Sequence, residues 1–278
     1  MDKTNTISAV VCTLNSESSI EDCLNSLKLN NIDEIILVDG GSKDNTVEIA
    51  KSFVDLILRD PGEGLAVARN LGISKAKCKY ILNCGADNVI TTGSLEILLK
   101  DKTDNKWCGA SMITKIHVRN YFTWCLNVYK IAHEMPGETN VPGTPVLFEA
   151  KILKENVYDS KMSWSDDSDL CERLSKIGYK FGISNAICYE IGQDSFDKVL
   201  YRWINYGRSD FEIYNKYSIN WNLRRRFKSY MHPFRTEIVI IFKNTNFLKW
   251  LAVLPILLIF TTLRYFGWIK YSIKSGKK

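Results

Sequence analysis

Between residues 7 and 84, apolar runs of strand length alternate with segments whose apolar residues recur at helical spacing. The runs are 7–14, 34–38, 55–58 and 80–84, and the helix-period stretches are 18–29, 46–53 and 65–76. In 18–29, Ile20, Cys23, Leu24 and Leu27 fall on one face, and Ser18 with Glu21 has the S-x-x-E spacing of a capping box. Such alternation with short connections predicts an α/β fold, a mostly parallel sheet flanked by helices with Rossmann-like layering. Ligands of such sheets bind outside the carboxyl ends of the strands. The informative loops are therefore 13–17, 39–46 and 85–88, and all three carry carboxylates, amides or hydroxyls. The last, Gly85-Ala86-Asp87-Asn88, ends an apolar run with an isolated acid. Turn chemistry alone puts Gly, Asp and Asn at strand ends. Three polar loops on one rim bring a binding site level with that explanation.

Several classes fall away. No G-x-G-x-x-G follows the first strand and no G-x-x-x-x-G-K-[ST] is present, which argues against a nicotinamide dehydrogenase or an NTPase. The eight cysteines are scattered, mostly in apolar runs, without metal-ligand spacing. They are expected to be small buried hydrophobes in a reducing cytoplasm. His117, His133 and His232 have no ligand-like spacing and are expected to be structural. The start, MDKTNTISAVVC, enters a strand pattern almost at once and shows no signal peptide.

The formal charge of +6 is unevenly placed. Residues 195–278 hold sixteen Lys/Arg against four Asp/Glu, a net of +12, which leaves −6 on the first 194. A basic, aromatic-rich tail suits an anionic partner, and phospholipid and nucleic acid both qualify. No nucleic-acid module accompanies the charge, so a membrane surface is the expected partner. Residues 250–263 carry no charge but contain Pro255, and Lys249 and Arg264 bound them. A single span would place one of two basic clusters outside, Arg224–Arg226 with Lys228 or Lys270, Lys274, Lys277 and Lys278. An interfacial or re-entrant arrangement is expected instead, with Trp250, Tyr265, Trp268 and Tyr271 near headgroups. A soluble helical subdomain or an oligomer interface is the alternative, and the oligomeric state is not legible. Residues 197–217 have the pattern of an amphipathic helix rich in Tyr, Trp and Arg.

The segments VVCTLNSE, ILVDGGSKDNT, GLAVARNLGI, YILNCGADN and WSDDSDLCERL, in that order within residues 7–174, resemble family 2 glycosyltransferases of GT-A fold. The resemblance implies transfer of a sugar from a nucleotide-sugar donor, a UDP- or GDP-sugar, with inversion. It implies that Thr13, Asn15 and Glu17 lie in the loop along the nucleoside, with Asp39 facing the base and Ser42 and Asp44 completing the turn. Arg69 and Asn70 match the family's Arg-Asn pair near the donor. Asp87 matches the last acid of the Asp-x-Asp motif and would hold a divalent cation, Mg²⁺ or Mn²⁺. Gly85 stands where the first acid belongs. One carboxylate can suffice for a cation that keeps its waters and phosphates.

Asp166 and Asp167 match the Glu-Asp pair, which makes Asp167 the base that takes the acceptor's proton. A helix over 169–177 is expected to hold these acids near its N-terminus. Tyr189-Glu190 occupies the neighbourhood where many relatives carry a His. The polar segment 133–140 is expected to be a loop shaping acceptor binding. The implied organisation is a catalytic domain over 1–195, with a nucleotide-sugar part at 1–105 and an acceptor part at 106–195. A membrane-associating helical extension over 196–278 follows. The implied acceptor is a lipid-linked saccharide or surface glycan at the cytoplasmic face of the cell membrane. A polyprenyl-phosphate acceptor, which needs no base, and a non-catalytic scaffold that binds sugar nucleotides are the alternatives.

Overall fold

The computed structural model describes residues 5–192 and 195–275. Its strands are β1 (Ile7–Thr13), β2 (Glu34–Asp39), β3 (Leu56–Arg59), β4 (Tyr80–Gly85), β5 (Asn88–Ile90), β6 (Gly109–Ile116), β7 (Gly137–Thr139), β8 (Val146–Glu149) and β9 (Phe181–Glu190). The first helices are α1 (Ile20–Leu29), α2 (Thr46–Ala50), α3 (Leu65–Lys75), α4 (Ser94–Asp104), α5 (Tyr121–His133), α6 (Ala150–Glu155) and α7 (Asp166–Lys176). Then come α8 (Phe196–Tyr217), α9 (Leu223–Tyr230), α10 (His232–Phe234), a π-helical turn at Arg235–Ile240, α11 (Ile241–Asn244) and α12 (Phe247–Ser275). The contacts divide the chain into two compact units. One comprises residues 1–115, 134–161 and 166–192, and the other 116–133, 162–165 and 193–278.

The first unit holds one nine-stranded mixed sheet in the order β3-β2-β1-β4-β8-β6-β9-β5, with β7 on β9. The quartet β3-β2-β1-β4 is parallel, as the alternation predicts. Beyond it β8 runs antiparallel to β4, and β6 antiparallel to β8. Strand β2, EIILVD, is buried along its whole length, as an inner strand covered on both faces must be. In β1 the strand period of two sends Ile7, Ala9 and Val11 into the layer with α1, and Val10 into the opposite layer. The expected stripe of α1 is buried there: Ile20, Cys23, Leu24 and Leu27.

Three local expectations are corrected. Helix α1 begins at Ile20 with Ser19 as its cap residue and no side-chain cap, so the Ser18–Glu21 capping box does not form. The preceding chain is committed elsewhere: Ser16 N–H donates to Thr46 Oγ1 at 2.7 Å and Glu17 N–H to Asp44 at 3.1 Å. Helix α7 starts at Asp166 rather than 169, which puts Asp166, Asp167 and Asp169 inside its first turn, where acids complement the helix dipole. The segment 133–140 is not a loop throughout, because His133 ends α5 and Gly137–Thr139 forms β7 against Phe181–Ile183. The charge-free run 250–263 lies within one helix, since α12 continues through Pro255 for 29 residues.

The second unit has its own core, in which Cys125, Leu126 and Tyr129 of α5, Trp203 of α8, Ile241 of α11 and Val253, Leu257 and Phe260 of α12 are buried together. Trp203 stacks on Phe260 with centroids 3.8 Å apart. Helices α8 and α12 touch backbone to backbone. A Cβ on Gly207 would lie 1.9 Å from the Arg264 carbonyl oxygen, and one on Gly267 would lie 1.9 Å from that of Ile204. All eight cysteines are free thiols, and burial pushes Cys12 and Cys108 up to about 12. His133 is half-buried, and desolvation pushes it down to about 3, while its Nε2 faces the Thr236 carbonyl.

Candidate active site

The parallel register fixes which residues share the rim. Thr13 pairs with Asp39, Asp39 with Arg59, and Cys12 with Gly85. Asp39 and Gly85 end strands on either side of β1, so roughly 10 Å separates them at the usual strand spacing. That span suits an elongated ligand lying across three strand ends.

The loops after β1 and β2 are laced together. Asn15 N–H donates to Ser42 Oγ at 2.9 Å, and Lys43 N–H returns a bond to Asn15 Oδ1 at 2.9 Å. Asn45 N–H donates to Glu17 Oε2 at 3.0 Å. Asp44 accepts from the Thr46 hydroxyl at 2.5 Å, and that bond holds its carboxyl below the usual carboxylate range. Asp39 accepts from Gly41 N–H at 3.0 Å and from the Ser42 hydroxyl at 2.5 Å. The predicted residues Asn15, Glu17, Asp39, Ser42 and Asp44 thus come together, but their first work is holding the two loops in shape. Beside them a cavity of about 480 Å³ is lined by Asp39, Gly41, Ser42, Val47, Ile57 and Arg59, among others. Thr13 is different. Its Oγ1 is buried and has no hydrogen-bond partner. A buried hydroxyl left without a partner is destabilising by roughly 1–3 kcal/mol, which suits an atom that meets a ligand.

A second group lies on the α3 side of the sheet. Arg69 Nη1 contacts Asp166 Oδ2 at 2.5 Å, and its guanidinium sits 5.3 Å from the centre of the Tyr158 ring. Asn70 brackets the Tyr158 backbone, donating to its carbonyl at 2.8 Å and accepting from its N–H at 2.9 Å. Tyr158 OH accepts from Asn83 Nδ2 at 2.9 Å. Arg69 and Asn70 are therefore turned toward Asp166 and Tyr158. Asp167, the next residue, is half-buried and accepts from Ser168 N–H at 2.6 Å. Burial first, and then the Asp166 charge, push its carboxyl above the ordinary range, with Arg69 partly opposing. A carboxylate with raised proton affinity is a better general base.

At the end of β4, Gly85 N–H donates to Asn88 Oδ1 at 2.8 Å, Ile191 N–H donates to the Asp87 carbonyl at 2.9 Å, and the Cys23 thiol reaches the Gly85 carbonyl at 3.4 Å. A Cβ on Gly85 would lie 2.7 Å from Asp87 Oδ1 and 2.9 Å from Asn88 Oδ1, so both side chains fold over the bare glycine. Among the described residues no group of three or more His, Cys, Asp or Glu could hold a metal ion. A hard cation that arrives with phosphates and keeps its waters needs one or two carboxylates. Asp87 fits that demand and no dedicated protein cage does. Sequence reasoning passed over Tyr158, whose aromatic ring in a polar stretch gives no signal. It quoted Asn88 without seeing that its side chain closes the turn.

A sequence profile of glycosyl transferase family 2 matches residues 8–154. An uncharacterized glycosyltransferase of Escherichia coli K12, YibD, is 33% identical over 121 residues, 40% of this chain and 35% of the relative. The poly-beta-1,6-N-acetyl-D-glucosamine synthase of Staphylococcus epidermidis is 24% identical over 294 residues, 96% of this chain and 68% of the relative. The chain thus matches about a third of the first relative's length and two thirds of the second's. In fold it is similar to the mannosyltransferase PcManGT of Pyrobaculum calidifontis, solved with GDP-Man and Mn²⁺, with a TM-score of 0.67 at 14% identity over 98% of this chain and 87% of that one. The profile spans more than half of the 278 residues. This chain belongs to glycosyl transferase family 2, and its fold is of the GT-A type.

Proposed function

We propose that the chain transfers a sugar, with inversion, from a nucleoside-diphosphate sugar to a saccharide hydroxyl at the cytoplasmic face of a membrane. The observation that carries this reading is Asp167, a half-buried carboxylate of raised proton affinity whose neighbour Asp166 is held by Arg69. The base and ribose occupy the cavity bounded by Asp39, Ser42 and Arg59, whose Ser42 and Lys43 are bonded to Asn15, with Thr13 Oγ1 donating to the ligand. Asp87 would hold a divalent cation brought by the diphosphate, and such a cation would supply charge neutralisation for the departing group. Asp167 takes the proton of the acceptor hydroxyl as its oxygen attacks the anomeric carbon and the nucleoside diphosphate leaves. Arg69 holds the Asp166 carboxylate in place beside Asp167. The experiment is a panel of UDP-, GDP- and dTDP-sugars titrated with and without Mn²⁺. Saturable, metal-stimulated binding of one donor is expected, and no binding by any of them would refute the reading.

The second unit supports the membrane part. Helix α12 is long and apolar enough to cross a bilayer, yet its neighbours favour an in-plane position. Val253, Leu257, Phe260, Arg264 and Gly267 form its buried face, while Leu248, Leu251, Leu258, Phe266, Ile269 and Ile273 form an exposed stripe without charge. The Arg264 guanidinium is turned inward onto Asp210, at 2.6 and 2.9 Å, and Glu237, at 2.7 Å. Alongside runs α8 with Arg208, Asp210, Glu212 and Lys216, tied at Gly207 and Gly267, so a vertical crossing would carry those charges into hydrocarbon. Exposed Leu223 and Phe227 of α9, flanked by Arg224 and Lys228, suit an anionic interface. Free thiols throughout agree with the reducing cytoplasmic side.

A further inference from the structure

Helix α8 carries one carboxylate whose bonds all serve a single short segment. Glu212 accepts from Ser163 N–H at 3.2 Å, Ser163 Oγ at 2.7 Å, Trp164 N–H at 3.1 Å and Ser165 Oγ at 2.8 Å. Arg208 braces it, with Nε 2.9 Å from Glu212 Oε1 and Nη2 on Ser163 Oγ. Four donors on one carboxylate fix the backbone on both sides of Trp164. Its side chain is nonetheless open: the residue is 38% exposed, and its ring meets that of Tyr201, itself 62% exposed. The centroids are 6.4 Å apart with planes at 77°, so the two rings form walls of a corner instead of covering each other.

Single exposed aromatics are common and need no explanation. A tightly held one is different, because fixing its backbone has no stability return from burying the ring. Trp164 also stands three residues before Asp167, and three residues of chain reach at most about 11 Å. The segment that carries Trp164 thus runs directly into α7, the helix of the proposed base. The chemistry of the rings separates it from the α12 stripe. That stripe is Leu, Ile and Phe, without polar tips, whereas indole and phenol combine an apolar face with an N–H or O–H at the rim. Such a surface matches a pyranose, which offers a face of C–H groups edged by hydroxyls.

We infer that Trp164 and Tyr201 form a saccharide subsite for the acceptor, with Glu212 as the residue that positions it. The inference rests on the transferase reading above. It is tested with the full chain on an array of immobilised neutral mono- to tetrasaccharides, in the presence of UDP and Mn²⁺, with UDP binding followed separately by calorimetry. Wild type is expected to be retained by a subset of the glycans. Trp164→Ala and Tyr201→Ala should each weaken that retention about tenfold, and Trp164→Tyr should keep most of it. UDP binding should be unchanged in all three, which also shows that they fold. Equal retention of wild type and both alanine variants would overturn the inference while leaving the transferase reading intact. So would a loss confined to binding of phosphatidylglycerol vesicles, which would make the corner a lipid contact. No retention of wild type by any glycan, with UDP still bound, overturns it as well. No nucleotide bound by wild type removes the transferase reading and this inference with it.

Discussion

Asp167→Asn separates catalysis from stability, because the two should move in opposite directions. Asparagine keeps the shape and the oxygen that accepts from Ser168 N–H, and removes only the charge. If Asp167 is the base, transfer should fall about 10²–10⁴-fold, or roughly 2.7–5.4 kcal/mol of barrier. Stability should rise. The folded-state pKa of Asp167 is raised, by burial first and then by Asp166. A raised pKa contributes stability that is present below the unfolded value and lost as pH climbs through the folded one. At neutral pH the ionised carboxylate therefore opposes folding. Like charges on adjacent first-turn residues, about 7 Å apart at an effective dielectric near 20, repel by roughly 2 kcal/mol, and Arg69 cancels part of that. A net gain on the order of 1 kcal/mol should lift Tm by about 2–4 °C. Differential scanning calorimetry and product formation by chromatography supply the two readings. The pH profile supplies a third: wild-type transfer should fall, on acidification, at a pH above the ordinary Asp range near 3.9, and Asp167→Asn should lack that limb. Transfer within a few-fold of wild type would refute the base assignment and favour an acceptor that is already an anion. A lower Tm would refute the electrostatic account.

Four further outcomes are expected. Thr13→Val removes a hydroxyl that has no partner in the protein, so stability should hold or improve while UDP affinity falls about tenfold; unchanged calorimetric affinity would take Thr13 out of the site. Asp87→Ala should abolish the Mn²⁺ stimulation of UDP binding. Gly85→Asp should weaken it rather than add a ligand, since the new Cβ would press on the Asp87 and Asn88 oxygens, and tighter Mn²⁺ binding would show that the turn can open. Arg264→Leu leaves Asp210 and Glu237 as buried carboxylates without their cation, which should destabilise by about 3–5 kcal/mol in urea unfolding; a change under 1 kcal/mol would mean that the pair is solvated.

The parallel quartet was legible because a period of two and a period near 3.6 alternate plainly in the first 84 residues, and tight connections leave little freedom in how they assemble. The antiparallel half was not. Strands such as β5 and β7 are three residues long, and a register set by β9 leaves no periodic trace in segments that short. The rim residues were found by type and position, yet their bonding could not be read. Nothing in ILVDGGSKDNT says that Asp39 turns back to Ser42, or that Asp44 accepts the amide of Glu17 from another loop. Contacts across 97 residues, such as Arg69 to Asp166, come from packing and not from spacing. The capping box failed for the same reason: a local motif lost to long-range bonds.

The missing acid at Gly85 bears on whether the motif has decayed. A decayed site should show a loosened strand end, since nothing maintains its geometry. Here the end of β4 is held from four directions: β1 pairs with it, Asn88 bonds the Gly85 amide, Cys23 meets the Gly85 carbonyl, and Ile191 bonds the Asp87 carbonyl. Glycine at 85 is not there for a left-handed turn, because its φ lies outside the positive range. It is there for space, since any Cβ would strike the side chains of Asp87 and Asn88. One carboxylate and one carboxamide thus close over the bare residue, and a side chain at 85 would have to displace them. That is a fitted single-acid strand end, and it favours an enzyme whose cation is held mainly by the substrate's phosphates over a scaffold that has lost its metal.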